Sequence, residues 1–166
     1  MNIFVLDKTP EIAAKYHSDQ HVVKMILESA QMACTTYHLF GLDAPYRMTH
    51  ANHPCTQWVR ESRSNYLWLY RLAYSLNEEY KFRFRKAVNH KSWDVFATLH
   101  REKYGLLEET KFQRPLTSLT NFAQAMPEQY RSDDGIEAYR RYYALAKIPN
   151  ARYTFRNVPY WVQKYL

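Results

Sequence analysis

Glycine is scarce in this chain, and that scarcity limits the folds that the chain can adopt. Only three glycines, Gly41, Gly105 and Gly135, occur in 166 residues, against an average usage of about 7%. Turn-rich sandwiches and barrels, and glycine-rich phosphate loops, use glycine where the backbone needs positive φ or a close approach. The sequence therefore predicts a mainly α protein.

The length predicts a single compact helical domain over residues 1–166. A chain of this size can bury roughly 70% of its unfolded surface, so it needs no disulfide or metal for stability. Its two cysteines, Cys34 and Cys55, form no CxxC motif, which favours a reducing compartment. A signal-peptide pattern and a run of about 20 apolar residues are both missing. We therefore expect a cytoplasmic protein with no membrane partner.

The charge balance predicts a polyanionic partner. The chain has 23 Lys and Arg against 16 Asp and Glu, a net charge of +7. Such a balance in a small protein favours nucleic acid first and an anionic membrane surface second. The 15 tyrosines and 4 tryptophans strengthen the first choice, because aromatic rings beside arginines can stack on bases. A basic protein without such a partner remains the alternative.

Capping residues and apolar spacing predict one short strand and several helices. The strand is the apolar run Ile3–Leu6, ended by Asp7. The predicted helices run from Pro10 to about Tyr16, from the N-cap Asp19 to about Phe40, from Pro54 to about Lys86, over residues 92–109, and from Gly135 to about Lys147. The third exceeds the usual length of a globular helix, which is compatible with a kink or a break.

The second predicted helix carries four polar residues on one stripe: His21, Lys24, Glu28 and Gln31. A partly buried Glu28 would act as general acid or base, and Lys24 would hold a phosphate or serve as an amine nucleophile. The alternative is a surface ion pair that adds a few tenths of a kcal/mol to the helix. The opposite, apolar face would consist of Val22, Val23, Ile26, Leu27, Ala30 and Ala33.

A second polar group surrounds the start of the next helix at Pro54. His50, Asn52 and His53 precede it, and Arg60 follows. Free N–H groups and the positive end of the dipole attract anions at a helix N-terminus. We expect these residues to bind the phosphate or sugar of a nucleotide, or, as the alternative, His53 or Asn52 to cap the helix.

The HxDxH pattern of His17, Asp19 and His21 could ligate a metal together with His50. The signal is weak, because neither an HExxH motif nor a distant HD dipeptide accompanies it. We expect no metal and no cofactor. The simpler interpretation is that Asp19 caps the helix while both neighbouring histidines lie at its entrance.

Aromatic and basic residues alternate in two segments, 80–86 and 139–161. We expect these segments to contact the DNA backbone. Cations that offset a helix dipole are the alternative for the first segment. The predicted backbone contacts are Arg83, Arg85, Lys86, Arg140 and Arg156.

Most of the chain resembles a group of small, mostly uncharacterised proteins encoded by tailed bacteriophages. The resemblance is carried by MNIFVLDKTPEIAAKYHSDQHVVKMILESAQM, by YRMTHANHP, by WVRESRSNYLWLY and by the closing RNVPYW. It implies a protein that acts in the host cytoplasm. It does not by itself supply a function.

A weaker resemblance is to pyrimidine-dimer DNA glycosylases of the phage endonuclease V type, which are also small, basic and helical. It rests on Ile3–Leu6, Ala30-Gln31, Tyr46-Arg47 and the Asn52-His53-Pro54 triplet. That family uses its N-terminal amine as nucleophile and a glutamate on a helix as acid–base group. Here Asn2 favours retention of the initiator methionine, which displaces the amine by one residue. The resemblance therefore implies base recognition or hydrolysis rather than imine chemistry, with Glu28 as the nearest glutamate.

These observations lead to three hypotheses. The first is a glycosylase-like enzyme that acts on a damaged or modified DNA base, with Glu28, Lys24 and His21 in its catalytic site and Gln31 lining the pocket. The second is a non-catalytic phage protein that binds DNA or blocks a host factor. The third is a metal-dependent hydrolase of nucleotides or nucleic acid.

Overall fold

The computed structural model describes residues 1–113 and 118–166, and it is mainly α. The helices of these ranges are α1 (Pro10–Tyr16), α2 (Asp19–Leu39), α3 (Pro54–Val59), α4 (Arg63–Phe84), α5 (Lys91–Lys103) and α6 (Gly135–Ala146). Short 3-10 turns occupy Tyr104–Leu106, Glu109–Lys111, Glu128–Tyr130, Ile148–Asn150 and Tyr160–Tyr165. Within the described ranges, every helix falls short of the length and apolar character that crossing a bilayer requires.

Helices α2 and α4 form the centre of a compact bundle. Helix α2 packs against α3, α4 and α5, and α1 lies along α4. Ile26 of α2 and Leu69 of α4 are fully buried, which is where the apolar spacing of both helices placed the core. The hydroxyls of Tyr37 and Tyr66 lie 2.9 Å apart and join the two helices inside that core. The bundle thus gives α2 a fixed position.

The predicted end of α2 is confirmed, and its predicted cap is wrong. The helix ends at Leu39 and Gly41 follows with φ +82°, the left-handed conformation that glycine adopts after a helix. At the other end Ser18 is the N-cap residue and Asp19 is already helical. The Asp19 carboxylate instead accepts hydrogen bonds from the backbone and hydroxyl of Thr154.

The helix predicted from Pro54 to Lys86 is broken at residues 60–62 into α3 and α4. Ser62 begins the second helix, because its hydroxyl accepts a hydrogen bond from the backbone N–H of Asn65 at 3.1 Å. The Asn65 amide donates in turn to the carbonyl of Trp58 at 2.8 Å, near the end of α3. These two bonds satisfy one backbone N–H and one carbonyl that a break leaves open, and they stabilise the change of direction between α3 and α4.

The apolar run Ile3–Leu6 is buried as predicted, but it forms no strand within the described part of the chain. Phe4 stacks on His21 with ring centroids 4.6 Å apart and meets the ring of Tyr143 edge-on at 5.2 Å. Helices have already paired their own backbone groups, so they offer no edge to which a strand could bond. The expected strand is therefore a buried irregular segment.

Helix α6 and the residues after it hold this N-terminal segment in place. Arg140 donates to the carbonyl of Leu6 at 2.8 Å and pairs with Asp7 at 2.9 Å. The Tyr143 hydroxyl accepts a hydrogen bond from the backbone N–H of Ser18 at 2.8 Å. Residues from both ends of the sequence consequently meet beside the start of α2.

Candidate functional site

Two residues of the polar stripe of α2 are covered by protein, and part of the predicted apolar face is open. His21 and Glu28 are each only 8% exposed, whereas Val23 and Leu27 are 36% and 39% exposed. The N-terminal segment and α6 lie over the first pair. The prediction that Val23 and Leu27 belong to the core is therefore wrong, while Val22, Ile26, Ala30 and Ala33 are buried as predicted.

Glu28 lies in a recess of about 150 Å³, which we call the Glu28 recess. Its carboxylate oxygen Oε2 accepts a hydrogen bond from the backbone N–H of Asn2 at 2.8 Å and lies 3.8 Å from the α-amino group of Met1. The other oxygen lies 3.9 Å from Nζ of Lys24. The lining residues are Met1, Asn2, Phe4, His21, Lys24, Met25, Glu28, Tyr142 and Lys147.

The side chain of Asn2 fixes the wall of the recess. Its amide donates to the carbonyl of Ala125 at 2.9 Å, and its oxygen accepts from the Tyr139 hydroxyl at 2.9 Å. Cys55 lies behind it, with Sγ 3.7 Å from the same oxygen. Burial raises the pKa of the Cys55 thiol to about 11, so this cysteine is protonated near neutral pH and is no nucleophile.

His21 enters the recess as a neutral imidazole. Its Nδ1 lies 2.7 Å from the hydroxyl of Tyr143, and its ring stacks on Phe4. Burial lowers the pKa of His21 to about 4, and the charges of Lys147 and Lys24 act in the same direction. At neutral pH His21 is therefore a hydrogen-bonding group of fixed orientation rather than a charged acid.

The alternative metal set of His17, Asp19, His21 and His50 is not assembled. His17 is fully buried, with Nδ1 2.7 Å from the carbonyl oxygen of Ala13. The Asp19 oxygens accept hydrogen bonds from Thr154 and Arg83, and His50 lies on an exposed loop. Across residues 1–113 and 118–166, the structure holds no cluster of three or more His, Cys, Asp or Glu side chains suited to a metal.

In the loop before α3, His53 acts as the helix cap. Its Nδ1 accepts a hydrogen bond from the backbone N–H of Cys55 at 3.1 Å, which confirms the capping alternative. Arg60 donates to the carbonyl of Ala51 at 2.7 Å and so braces the loop. His50 and Asn52 are exposed, and His50 adopts φ +48°. Helix α3 has only six residues, so the expected phosphate site at its N-terminus finds little support.

The charge on Glu28 also acts on this loop. Burial lowers the pKa of His53, and the positive charges of the Met1 amino group and His50 lower it further, while Glu28 acts in the opposite direction. His53 therefore lies within electrostatic reach of the carboxylate. The structure brings His21, Lys24 and Glu28 together in the recess. His53 caps α3, Arg60 holds the loop, and Asn52 is exposed.

The predicted backbone-contacting cations divide into two groups. Arg83 is 1% exposed and donates to Glu79 and Asp19, so the prediction that it contacts DNA is wrong. Two further arginines are held in ion pairs, Arg140 with Asp7 and Arg156 with Glu79. Arg85 and Lys86 are exposed, which a residue that contacts the DNA backbone must be.

Sequence reasoning missed a second cavity, of about 380 Å³, which we call the Tyr46 pocket. Its lining residues are Leu27, Gln31, Pro45, Tyr46, Arg47 and Thr49. Leu27 and Gln31 follow Lys24 and Glu28 by three residues on α2, so the pocket adjoins the Glu28 recess. Of this lining, only Gln31 stood out as a pocket residue from its helical spacing.

The Glu28 recess places a carboxylate, the α-amino group of Met1, two lysine ammonium groups and a neutral imidazole near a partly apolar pocket. Such a set can move a proton at Glu28 and hold an anion at Lys24 and Lys147. Comparison with protein-family models, curated proteins and solved structures found no match for this chain.

Proposed function

We propose that the protein is a DNA-acting enzyme of the glycosylase type, which releases a damaged or modified base. The observation that carries this proposal is the position of Glu28. Its carboxylate is 8% exposed, is oriented by the backbone N–H of Asn2, and opens into a recess that also contains Lys24 and Lys147. A held carboxylate beside ammonium groups suits an acid–base reaction on a phosphate-linked sugar.

The reaction is hydrolysis of an N-glycosidic bond. The oxygen of a water molecule bonds to C1′ of the sugar while the bond from C1′ to the base nitrogen breaks. The electron pair of the broken bond leaves with the base, and the base takes up a proton from solvent. Glu28 accepts the proton that the attacking water loses, and its negative charge stabilises the positive charge that develops on the sugar. Lys24 and Lys147 hold the adjacent phosphate.

Three further observations support this proposal. The net charge of +7 suits a DNA partner. Glycosylases must take their target base out of the stack, and the Tyr46 pocket beside Glu28 offers a place for it. The resemblance to pyrimidine-dimer glycosylases points to the same class of substrate.

The test is incubation with a panel of duplexes that each carry one damaged or modified base, scored for released base and for strand breaks. We expect at least one duplex to lose its base, and Glu28→Gln to slow that release by about 10²-fold or more. Glu11→Gln is the matched control, because Glu11 pairs with Arg71 on the exposed surface. Equal rates for wild type and Glu28→Gln would refute the assignment of Glu28.

A non-catalytic DNA-binding or host-factor-blocking protein is the second candidate, and an exposed aromatic surface favours it. Phe82 and Phe155 are 50% and 56% exposed, and the guanidinium groups of Arg156 and Arg85 lie 4.4 Å and 4.9 Å from their ring centroids. This candidate predicts that Arg85→Glu abolishes binding while Glu28→Gln leaves function intact. Arg101→Glu, at an exposed position of α5, serves as the control.

A further inference from the structure

We infer that the Tyr46 pocket binds the base of a nucleotide whose sugar lies at the Glu28 recess. This inference rests on the proposed function, and it assigns the pocket a nucleobase as its ligand. The cavity of about 380 Å³ falls within the range of roughly 300–1,000 Å³ that small-molecule sites occupy. Its lining combines one aromatic ring, apolar side chains, an amide and a guanidinium, which matches the parts of a nucleotide.

The aromatic wall is held rigidly. The Tyr46 hydroxyl lies 2.9 Å from the hydroxyl of Ser92, and its carbonyl lies 2.8 Å from Nε2 of His38. The ring is therefore fixed at its hydroxyl and at its backbone. A base stacks on such a ring without an ordering cost for the protein, and the half-exposed Leu27 on α2 supplies the apolar wall.

The loop that carries Tyr46 is also tied to α2 at its far end. The backbone N–H of Thr49 donates to the hydroxyl of Thr35 at 3.1 Å, and that hydroxyl donates to the carbonyl of Thr49 at 3.0 Å. These bonds join the loop to the same helix that carries Glu28. The distance between pocket and carboxylate is consequently fixed by one rigid helix.

Gln31 is the residue that would recognise the base through hydrogen bonds. It lies on the pocket wall, is partly exposed, and has no hydrogen-bond partner in the described ranges. Its amide offers one acceptor and two donors, and the edge of a base presents donors and acceptors that such an amide can pair with bidentately. Arg47, exposed at the rim, can pair with the phosphate.

The spacing along α2 explains why one nucleotide would use both cavities. Gln31 follows Glu28 by three residues, so their Cβ atoms lie about 5–6 Å apart. A base and the C1′ atom of its sugar are joined directly. A base paired with Gln31 would therefore hold its glycosidic bond within about one helical turn of Glu28, where the proposed reaction takes place.

The test is a titration of the protein with each of the four deoxynucleoside 5′-monophosphates, followed by NMR at the Gln31 side-chain amide. Deoxyribose 5-phosphate is the ligand control, since it keeps the phosphate and lacks the base. We expect at least one nucleotide to bind about tenfold more tightly than this control, and Gln31→Ala to weaken it about tenfold, the scale of two neutral hydrogen bonds. Gln163→Ala, at an exposed position, is the matched variant, and thermal melts verify that both variants fold.

The inference is overturned if deoxyribose 5-phosphate binds as tightly as all four nucleotides, or if Gln31→Ala binds them like wild type. These outcomes are independent of the base-release assay. If nucleotides bind in a way that depends on Gln31 but no base is released, the inference about the pocket is supported. The proposed glycosylase function is then removed. The opposite result is that Gln31→Ala releases the base at the wild-type rate and that no nucleotide binds at the pocket. This result overturns the inference and leaves the proposed glycosylase function standing.

Discussion

The backbone N–H of Asn2 donates a hydrogen bond to the carboxylate of Glu28 at 2.8 Å, across 26 residues of sequence. The bond holds the carboxylate from a segment that belongs to no helix. Asn2 is itself held by Ala125 and Tyr139. The orientation of Glu28 thus depends on contacts that lie outside its own helix.

Asn2→Ala should destabilise the protein and reduce its activity. The substitution removes the side-chain acceptor of the Ile3 backbone N–H and the side-chain donor to the Ala125 carbonyl, and each unsatisfied buried group costs about 1–3 kcal/mol. We expect a lower urea midpoint and slower base release. Asn121→Ala, at an exposed position, should change neither quantity. An unchanged midpoint for Asn2→Ala would contradict the anchoring role.

Lys24→Ala should weaken substrate binding while leaving the fold intact. The side chain is 57% exposed and its ammonium lies 3.9 Å from Glu28, so loss of the pair should cost well under 1 kcal/mol. Binding to DNA should fall, because Lys24 would hold the phosphate. Fluorescence anisotropy beside a thermal melt measures both effects. Lys91→Ala, on the exposed side of α5, is the control, and equal affinities for the two variants would remove Lys24 from the site.

Binding to duplex DNA should weaken steeply with salt. The net charge of +7 and several phosphate contacts predict a log–log slope of several units, since each contact releases counterions. Affinities between about 50 mM and 200 mM salt measure the slope. Affinity that stays flat over this range would eliminate DNA as the main partner.

Arg83→Met should destabilise the protein far more than Arg71→Met. The buried Arg83 guanidinium donates hydrogen bonds to the carboxylates of Glu79 and Asp19 and to the carbonyl of His17. Its removal leaves buried carboxylates with less compensation, a change that costs about 3–5 kcal/mol. Arg71 pairs with Glu11 at the surface, where such pairs contribute about 0–1 kcal/mol. Chemical denaturation compares the two variants, and equal losses would be inconsistent with a buried Arg83.

Stability should fall as the pH drops below about 6.5. The pKa of His21 is lowered from 6.5 to about 4 and that of His17 to about 3. The unfolded chain therefore takes up protons at a higher pH than the folded chain does, so the contribution of both residues is present above pH 6.5 and is lost as the pH falls toward 4. Thermal melts from pH 7 to pH 5 should show declining midpoints.

An NMR titration of the His21 ring should show the same effect directly. We expect its resonances to stay at the neutral position down to about pH 5, because its folded pKa is about 4. A peptide of residues 17–25 supplies the reference and should titrate near the ordinary value of 6.5. A midpoint near 6.5 in the folded protein would show that the imidazole is not buried against Tyr143.

Local signals predicted the helices well, and long-range contacts explain what they missed. Gly41 and Pro10 mark helix boundaries through their own backbone preferences, so they can be read from the sequence. The break at residues 60–62 depends on the Asn65 amide reaching Trp58. The burial of Arg83 depends on Asp19, 64 residues away. No local pattern encodes the Arg83 contact. The break, by contrast, has a local signal in the capping residue Ser62, which the apolar spacing of the long predicted helix concealed.

The candidate site also has features that local patterns predicted and features that depend on distant parts of the chain. Helical spacing grouped His21, Lys24 and Glu28, which line one recess. It did not separate them from Gln31, which lines the Tyr46 pocket together with Leu27 of the expected apolar face. It could not show that the side facing the recess is the covered one, because the cover comes from Asn2, Phe4 and α6. The Tyr46 pocket was missed for a related reason, since its loop residues carry no periodicity.

The Glu28 recess is assembled from segments that are far apart in the chain, and the bond between Tyr139 and Asn2 spans 137 residues. High contact order of this kind slows folding, because the long loop must close before its contacts stabilise anything. A nascent chain on the ribosome therefore displays α2 long before α6 can cover it. The Glu28 recess is complete only once translation has passed Lys147, the last residue of the sequence that lines it.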